Sequence, residues 1–426
     1  MGLQAVVRAL ERPPAAIDPA IQASVDEILH AVRDRGDAAL VELTARFDGF
    51  HAASAKALAI SQAELEAAER RVSPDVRTAL AYAAERIERY HAAAVPKSWR
   101  ITDEHGSVLG QELRPLQRVG VYAPGGRAAY PSTVLMTAVP ARVAGVAEIV
   151  LVTPPGRDGR VSDTVLAAAR LAGVTEVWRL GGAQAIAALA YGTATVRKVD
   201  KIVGPGNVYV ALAKSRVYGE VGIDMVAGPS EVLIVADSGA NAEWAAADLL
   251  AQAEHDPMAR AVLVTDAPEL AARVARALET QLGKLARQSI AAEALKANGA
   301  LVVVGSLEEA MELANQLAPE HLELLVRVPQ ALLPRVRHAG AVFIGAQTPE
   351  VVGDYVAGPS HVLPTAGTAR FSSPLGVEDF LKRTSVIEYS SAGLRAALPH
   401  LRALADIEGL GGHRAAGDVR AEGGRG

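Results

Sequence analysis

No cysteine occurs anywhere in the 426 residues. That absence excludes disulfides, Cys-ligated zinc, iron–sulfur clusters and any thioester or thiohemiacetal route, and it removes a reason to invoke an oxidising compartment. Aromatic residues make up only 4% of the chain although half of it is hydrophobic, so its cores must rest on Ala, Val and Leu. Long apolar runs are missing too. The most apolar stretch, 136–152, is broken by Arg142 and Glu148, and no membrane-spanning helix is expected. A positive excess is also lacking: the net charge is -5, against the strongly basic domains of nucleic-acid binders. Residues 1–11 have no apolar signal-peptide region and carry Arg8. Val6 stands where a myristoylation signal needs Ser or Thr. The expectation is a cytoplasmic protein that binds neither nucleic acid nor membrane.

What is present alternates. The first hundred residues read as successive helices: 20–33, stopping at Gly36; a second from Asp37 to near Gly49; and a long one opened by Ser73-Pro74, an N-cap and first-turn pair. After Arg118, short apolar runs fall at 119–123, 148–153, 176–180 and 201–203, each followed by an Ala-rich helical pattern. A second series follows at 232–236, 261–265, 301–304, 321–326 and 341–344. Such alternation means parallel sheets covered on both faces, in two α/β units of similar design joined through the turn formers of 224–230. Residues 380–404 read as a short helical appendage. The Gly-rich, charged stretch after His413 can bury little and reads as disordered.

Ligands of open α/β sheets bind at the carboxyl ends of strands, and glycine-containing segments fall there. They are 122–127, beginning at Tyr122; Gly181-Gly182-Ala183-Gln184; and Gly204-Pro205-Gly206-Asn207. Backbone amides at a helix N-terminus bind anions. None of the three is a Gly-x-Gly-x-x-Gly fingerprint, however: Tyr209 stands where the third glycine would be. A tight strand-to-helix turn explains each equally well.

Gln252 and His255, three residues apart at the end of an apolar helix, share one face and offer a cation an amide oxygen and an imidazole. A solvated helix end is the alternative. Glu320 and His321 follow Pro319 and form a carboxylate–imidazole pair suited to acid/base work. Neighbours on a regular strand face opposite sides, so they can cooperate only if Pro319 sets them on a bend. Residues 353–365 pack Gly and Pro around Asp354 and His361, which implies a shaped loop. Glu408 to His413 is a glycine-bounded segment ending in an imidazole, and Ser230 follows Gly228-Pro229 as a turn hydroxyl.

Taken in order, these segments resemble the histidinol dehydrogenase family from about residue 20 to 413. The resemblance implies two Rossmann-like parallel-sheet domains with small helical N- and C-terminal domains. The expected boundaries are an extension at 1–17, an α/β domain of 18–120 and 229–375 carrying most metal and acid/base residues, an inserted α/β domain at 121–228 with the NAD contacts, and an appendage at 376–426 reaching a partner subunit. It implies oxidation of L-histidinol through L-histidinaldehyde to L-histidine with two NAD, in histidine biosynthesis. By the same resemblance Gln252, His255, Asp354 and His413 are the zinc ligands, with His413 donated across a homodimer. Glu320 and His321 are the acid/base residues. Ser230, His361 and Glu408 join Gln252, His255, His321, Asp354 and His413 around the substrate, while Tyr122, Gln184 and Asn207 touch NAD. Ser360 stands where many relatives carry Asn, which leaves its local hydrogen bonding open.

The residues fit that chemistry. Histidinol carries an imidazole, a good zinc ligand, so zinc would hold the substrate by chelation. With no cysteine to attack an aldehyde, oxidation must run through the hydrated aldehyde. A metal-dependent hydrolase or lyase on the same scaffold and a non-catalytic nucleotide-binding regulator are the other readings.

Overall fold

The computed structural model describes residues 3–10, 17–125 and 129–423. The chain forms two units: one runs to Ala94 and resumes over Leu116–Phe380, the other comprises Val95–Pro115 and the chain from Leu381.

The first unit holds two parallel sheets with one strand order. In one sheet Glu176–Arg179, Glu148–Thr153, Arg118–Tyr122, Lys201–Val203 and Gly222–Ile223 lie side by side, and the antiparallel edge strand Ala59–Ile60 pairs with Glu176–Arg179. In the other the order is Ala300–Val303, Arg260–Thr265, Glu231–Ala236, His321–Leu325 and Ala341–Ile344, all parallel. Numbered along the chain, both parallel sets read 3-2-1-4-5, the order of a doubly wound nucleotide-binding fold. Strands such as Glu231–Ala236 and Arg118–Tyr122 are buried throughout, as helices on both faces require, and their sequences are accordingly continuous apolar runs.

The domain grouping differs from the expected one. The helices Pro19–Arg35 and Asp37–Asp48 share a core with the first sheet: Val25, Leu29 and Leu40 pack with Ile186, Leu189 and Val152. The helices of 19–48 therefore pack with the first sheet rather than with 229–375, Val95–Pro115 belongs to the second unit, and the expected cut at 120 falls inside the strand Arg118–Tyr122. The amphipathic faces of these helices are matched by the small-residue face of Gly182–Tyr191, a pairing invisible in either segment alone. The expected extension instead contains a helix, Leu3–Leu10, whose Val7 joins the core of the second sheet beside Met311 and Leu322.

The second unit corrects two further expectations. Residues 381–388 are a strand, not the start of a helix; they pair antiparallel with Val108–Pro115, which pairs in turn with Trp99–Thr102. The segment after His413 is helical over Gly411–Gly423. Gly417 lies so close to Leu398 and Leu401 that a Cβ there would come within 3.1 Å of both, and Asp418 accepts from Arg402 at 2.6 Å. Packing and pairing supply what composition did not suggest.

At the carboxyl edge of the first sheet, Gly204 has φ +109°, and a Cβ there would stand 2.2 Å from the Tyr122 carbonyl oxygen; only glycine allows the two chain segments to meet. The turn is held by Lys214, buried, which donates to the Gly204 carbonyl at 2.9 Å and pairs with buried Asp224, itself accepting from the Gly204 N–H at 2.8 Å. Removing one member of a buried pair leaves an uncompensated charge, at a cost of about 3–5 kcal/mol. Lys214→Met is expected to lower unfolding stability by that order in denaturant titration, and Lys214→Met/Asp224→Leu to lose less. A single variant as stable as the parent would contradict the assignment.

Candidate active site

Two edges of the first unit carry all the residues singled out except Glu408 and His413. Tyr122, Gln184 and Asn207 lie at the carboxyl edge of the first sheet, where the strand order reverses between Arg118–Tyr122 and Lys201–Val203. Tyr122 is buried, its hydroxyl accepts from the Gly182 N–H at 3.2 Å, and burial pushes its pKa up to about 12. Gln184, buried, donates to Asp48 at 3.4 Å. Asn207 caps the helix Val208–Val217, accepting from the N–H groups of Tyr209 and Val210 at 3.1 and 3.2 Å. Asp48 is an addition: burial raises its carboxyl to about 6, and only its distance in sequence from the others hid it. Gly126 and Arg127 of the 122–127 segment lie outside the described residues.

In the second sheet the residues singled out lie at the other edge. Glu320 and His321 open the strand His321–Leu325, and His321 is in register with Val232, one residue from the start of Glu231–Ala236. The site is on the amino edge. The helix Ala242–Ala253 runs back from the far edge and delivers Gln252 and then His255 to the same end, and Glu350–Tyr355 supplies Asp354.

The bend required of Pro319 is present. Ala318 takes a left-handed conformation, φ +49°, at the end of Leu307–Leu317. Glu320 thus precedes the strand, and its Oε2 lies 3.7 Å from His321 Nδ1, with both side chains buried. The Glu231 N–H donates to Glu320 Oε2 at 2.9 Å, and His321 Nδ1 lies 3.0 Å from the Glu231 carbonyl oxygen. A carbonyl only accepts, so Nδ1 carries the proton and Nε2 keeps a lone pair. His361 is arranged alike, its Nδ1 2.9 Å from the Asp354 carbonyl oxygen. Burial keeps His321 neutral, with its pKa down to about 4, and lowers His361, while the charge of Asp354 opposes the shift in both. Burial drives Glu320 well above the ordinary carboxylate range.

His321, Glu350 and Asp354 each offer a ligand atom within 4.8 Å of the others. Glu350 was not anticipated, although Glu350 and Asp354 stand i, i+4 on one helix face and that spacing was legible. Gln252 is buried, and with its amide turned so that the nitrogen donates to Glu350, 3.2 Å from Oε2, its oxygen is the atom left for a cation. His255, exposed at the helix end, acts electrostatically on both His321 and His361. Behind Glu350 the carboxylates continue: its N–H donates to Glu323 Oε1 at 2.9 Å, and Glu323 faces Asp248. Ser230 is half-buried just before Glu231, and its carbonyl accepts from the Arg260 N–H at 3.0 Å. Ser360 is buried, donates to the Met136 carbonyl at 3.0 Å and accepts from the Val362 N–H, which answers what a serine does there. Glu408, ending the helix Ser391–Ile407, and His413, in Gly411–Gly423, are exposed residues of the second unit.

Comparison with known proteins gives a consistent result. The chain matches the family model described as histidinol dehydrogenase over residues 11–421. It is 56% identical over 392 residues to a histidinol dehydrogenase from a Synechococcus strain, covering 92% of this chain and 90% of that one. It is 53% identical over 419 residues to the Chromobacterium violaceum histidinol dehydrogenase, covering 98% and 96%. The crystal structure of histidinol dehydrogenase from Elizabethkingia anophelis superposes with a TM-score of 0.94 at 36% identity, covering 99% of this chain and 97% of that one.

The carboxylates behind the site set its pH response. Burial raises Glu323 well above its usual range and Asp248 to about 6. A carboxyl whose folded pKa is raised stabilises the fold fully below its unfolded pKa and loses that contribution as pH rises through the folded value. Glu323→Gln keeps an acceptor for the Glu350 N–H and removes one ionisation. In the metal-free protein the variant's stability relative to the parent is expected to increase from pH 4.5 to pH 8. Unfolding curves at both values check it, and a pH-independent difference would contradict it.

Proposed function

The chain belongs to the histidinol dehydrogenase family, and from that premise we propose that it oxidises L-histidinol through L-histidinaldehyde to L-histidine with two NAD, in histidine biosynthesis. The observation that carries the reading is the amino-edge pair: a neutral imidazole with a bare Nε2 beside a desolvated carboxyl, Glu320. Neither a hydrolase or lyase nor a non-catalytic regulator is favoured for a chain whose relatives share half its residues across nearly its whole length.

The donor set suits zinc: the oxygen of Gln252, the imidazole of His255 and the carboxylate of Asp354 match its preference for nitrogen and oxygen. Zinc supplies an anchor for the substrate's imidazole and amine, which is orientation rather than activation of the alcohol. For NAD, which accepts the hydride, the first sheet's carboxyl edge offers Tyr122, Gln184 and Asn207 beside the close approach that Gly204 permits. His321 Nε2 takes the hydroxyl proton as the alcohol is oxidised. When water adds to the aldehyde, Glu320 takes one of its protons, and His321 returns its own to the carbonyl oxygen. A carboxylate whose pKa burial has raised is a stronger base than a solvated one. His321 then accepts a proton from the diol during the second oxidation. Ser230 and His361 line the substrate.

One chain would then supply three of the protein's zinc ligands. The resemblance supports His413 as the fourth and Glu408 as a substrate contact, both from the partner of a homodimer.

Supplied with L-histidinol, NAD and zinc, the protein is expected to form two NADH per histidinol, to lose this with a chelator and to regain it with zinc; no NADH sinks the reading. Glu320→Gln is expected to slow oxidation of the aldehyde by about 100-fold or more while affecting the alcohol far less, measured with each substrate separately. Mixed Glu320→Gln and His413→Ala chains are expected to recover part of the activity that each has lost. A hybrid as inactive as its parents would assign His413 to its own subunit.

A further inference from the structure

His91, on the helix Pro74–Ala93, is the one buried imidazole among the described residues with neither ring nitrogen hydrogen-bonded to the protein. It is only 2% exposed. Unpaired polar atoms at that depth are costly unless something polar meets them. His91 lines a cavity of about 480 Å³ that also reaches His321, His361, Ser360, Thr348 and Phe343. A water molecule occupies roughly 30 Å³ of liquid and needs two to four polar partners when buried, so both volume and chemistry suit several.

The other polar groups of this cavity are partly committed. The Thr348 hydroxyl donates to the Ile344 carbonyl at 2.9 Å and keeps its lone pairs. His321 and His361 each give Nδ1 to a backbone carbonyl, which leaves their Nε2 atoms. His91, unlike the half-exposed Tyr90 beside it, is a buried group with both a donor and an acceptor unengaged by protein. Burial holds it neutral, with its pKa down to about 4, so it can donate to one water and accept from another. Its helix is tied to the loop that carries His361: Gly358, φ +117°, stands so close that a Cβ would meet the Arg86 carbonyl at 2.8 Å and Tyr90 at 2.9 Å.

We infer that His91 is a positioning residue that anchors a buried water site opening onto His321 and His361, and that this site supplies the water that hydrates the aldehyde. The inference rests on the histidinol-oxidising reading above. In the step it serves, the water oxygen bonds to the aldehyde carbon as the C=O π bond breaks. One water proton passes to Glu320, and the carbonyl oxygen takes the proton held by His321, giving the diol that the second NAD oxidises. Oxidation of the alcohol consumes no water, so the two half-reactions respond differently to losing the site.

The test compares the zinc-loaded parent with His91→Leu, which keeps apolar bulk and removes both ring nitrogens, and His91→Gln, which restores a donor and an acceptor. NADH formation is followed from L-histidinaldehyde, and separately from L-histidinol with the aldehyde trapped. His91→Leu is expected to slow the aldehyde step by about tenfold or more and the alcohol step by no more than about twofold. NADH per histidinol should fall from two toward one as free aldehyde escapes, with His91→Gln recovering most of the loss. Equal loss in both half-reactions makes His91 merely structural and overturns the inference; so does no loss in either. A parent that forms no NADH from histidinol defeats the underlying reading instead. Should His91→Leu fail to fold, a high-resolution crystal structure of the parent decides: ordered water within hydrogen-bond distance of the His91 ring supports the site, and its absence there overturns it.

Discussion

The backbone of Glu231 holds Glu320 and His321 together. Its N–H donates to Glu320, its carbonyl accepts from His321, and it opens the central strand of the second sheet. Because both bonds use the main chain at the start of a parallel ladder, they are as rigid as the sheet itself, and they fix the tautomer of His321 and the orientation of Glu320 at once. The Glu231 side chain secures the arrangement from outside, accepting from the Ala366 N–H at 3.0 Å and lying 3.6 Å from Arg260. The loop ending near Ala366, the strand and the Glu320–His321 pair are therefore tied together. Preorganisation of this kind lets a static site stabilise a transition state.

That arrangement is costly. Glu231, Glu320, Glu323 and Glu350 are all buried, and desolvation raises every one of them. Four carboxyls at one sheet edge oppose folding at neutral pH unless protons or a cation meet them. A bound metal offsets the same repulsion that disfavours the metal-free fold, so binding and stability are linked by mass action. The extensive Ala-, Val- and Leu-rich cores of the two sheets are what tolerate the burden, in keeping with function built at the expense of stability.

Much of this was legible in the chain. Nine strands of the two parallel sheets emerged from their apolar runs to within a residue or so because strands buried on both faces leave a continuous signature; Glu148–Thr153, Lys201–Val203 and Ala341–Ile344 coincide with the expected ranges, whereas Ala59–Ile60, Trp99–Thr102, Val108–Pro115 and Gly222–Ile223 were not expected. Glu320 and His321 were readable as neighbours, and so was the bend they need. What failed depended on long-range packing. The strand Leu381–Glu388 alternates weakly and is mostly exposed, and it exists because Val108–Pro115 is there to pair with it. The helix Gly411–Gly423 carries four glycines and is set by its packing on Ser391–Ile407. The grouping of Pro19–Arg35 with the first sheet rests on complementarity between its Val25, Ile28, Leu29 and Val32 face and the Ala-rich face of Gly182–Tyr191. No local signal carries such information, nor does any local signal reveal that Glu231 acts through its peptide groups.

The two sheets share one strand order, yet the residues singled out lie at opposite edges, and the carboxyl-edge rule describes only the first. The rule holds where a strand's end meets a helix N-terminus, whose amides suit phosphate; the first sheet has such ends at Gly181 and Asn207. At the amino edge of the second sheet the helix Ala242–Ala253 arrives by its C-terminus, where the dipole and free carbonyls favour positive charge. The group that could hold a metal ion, His321, Glu350 and Asp354, lies at that edge. The 353–365 loop joins the two chemistries. Ser360 bonds to Met136 on a helix of the first sheet, Thr365 accepts from the Gly228 N–H in the segment linking the sheets, and Gly358 packs on the helix bearing His91. Asp354 and His361 are thus held by ties to both halves of the unit, so a shift of one sheet against the other would be felt first at these two residues.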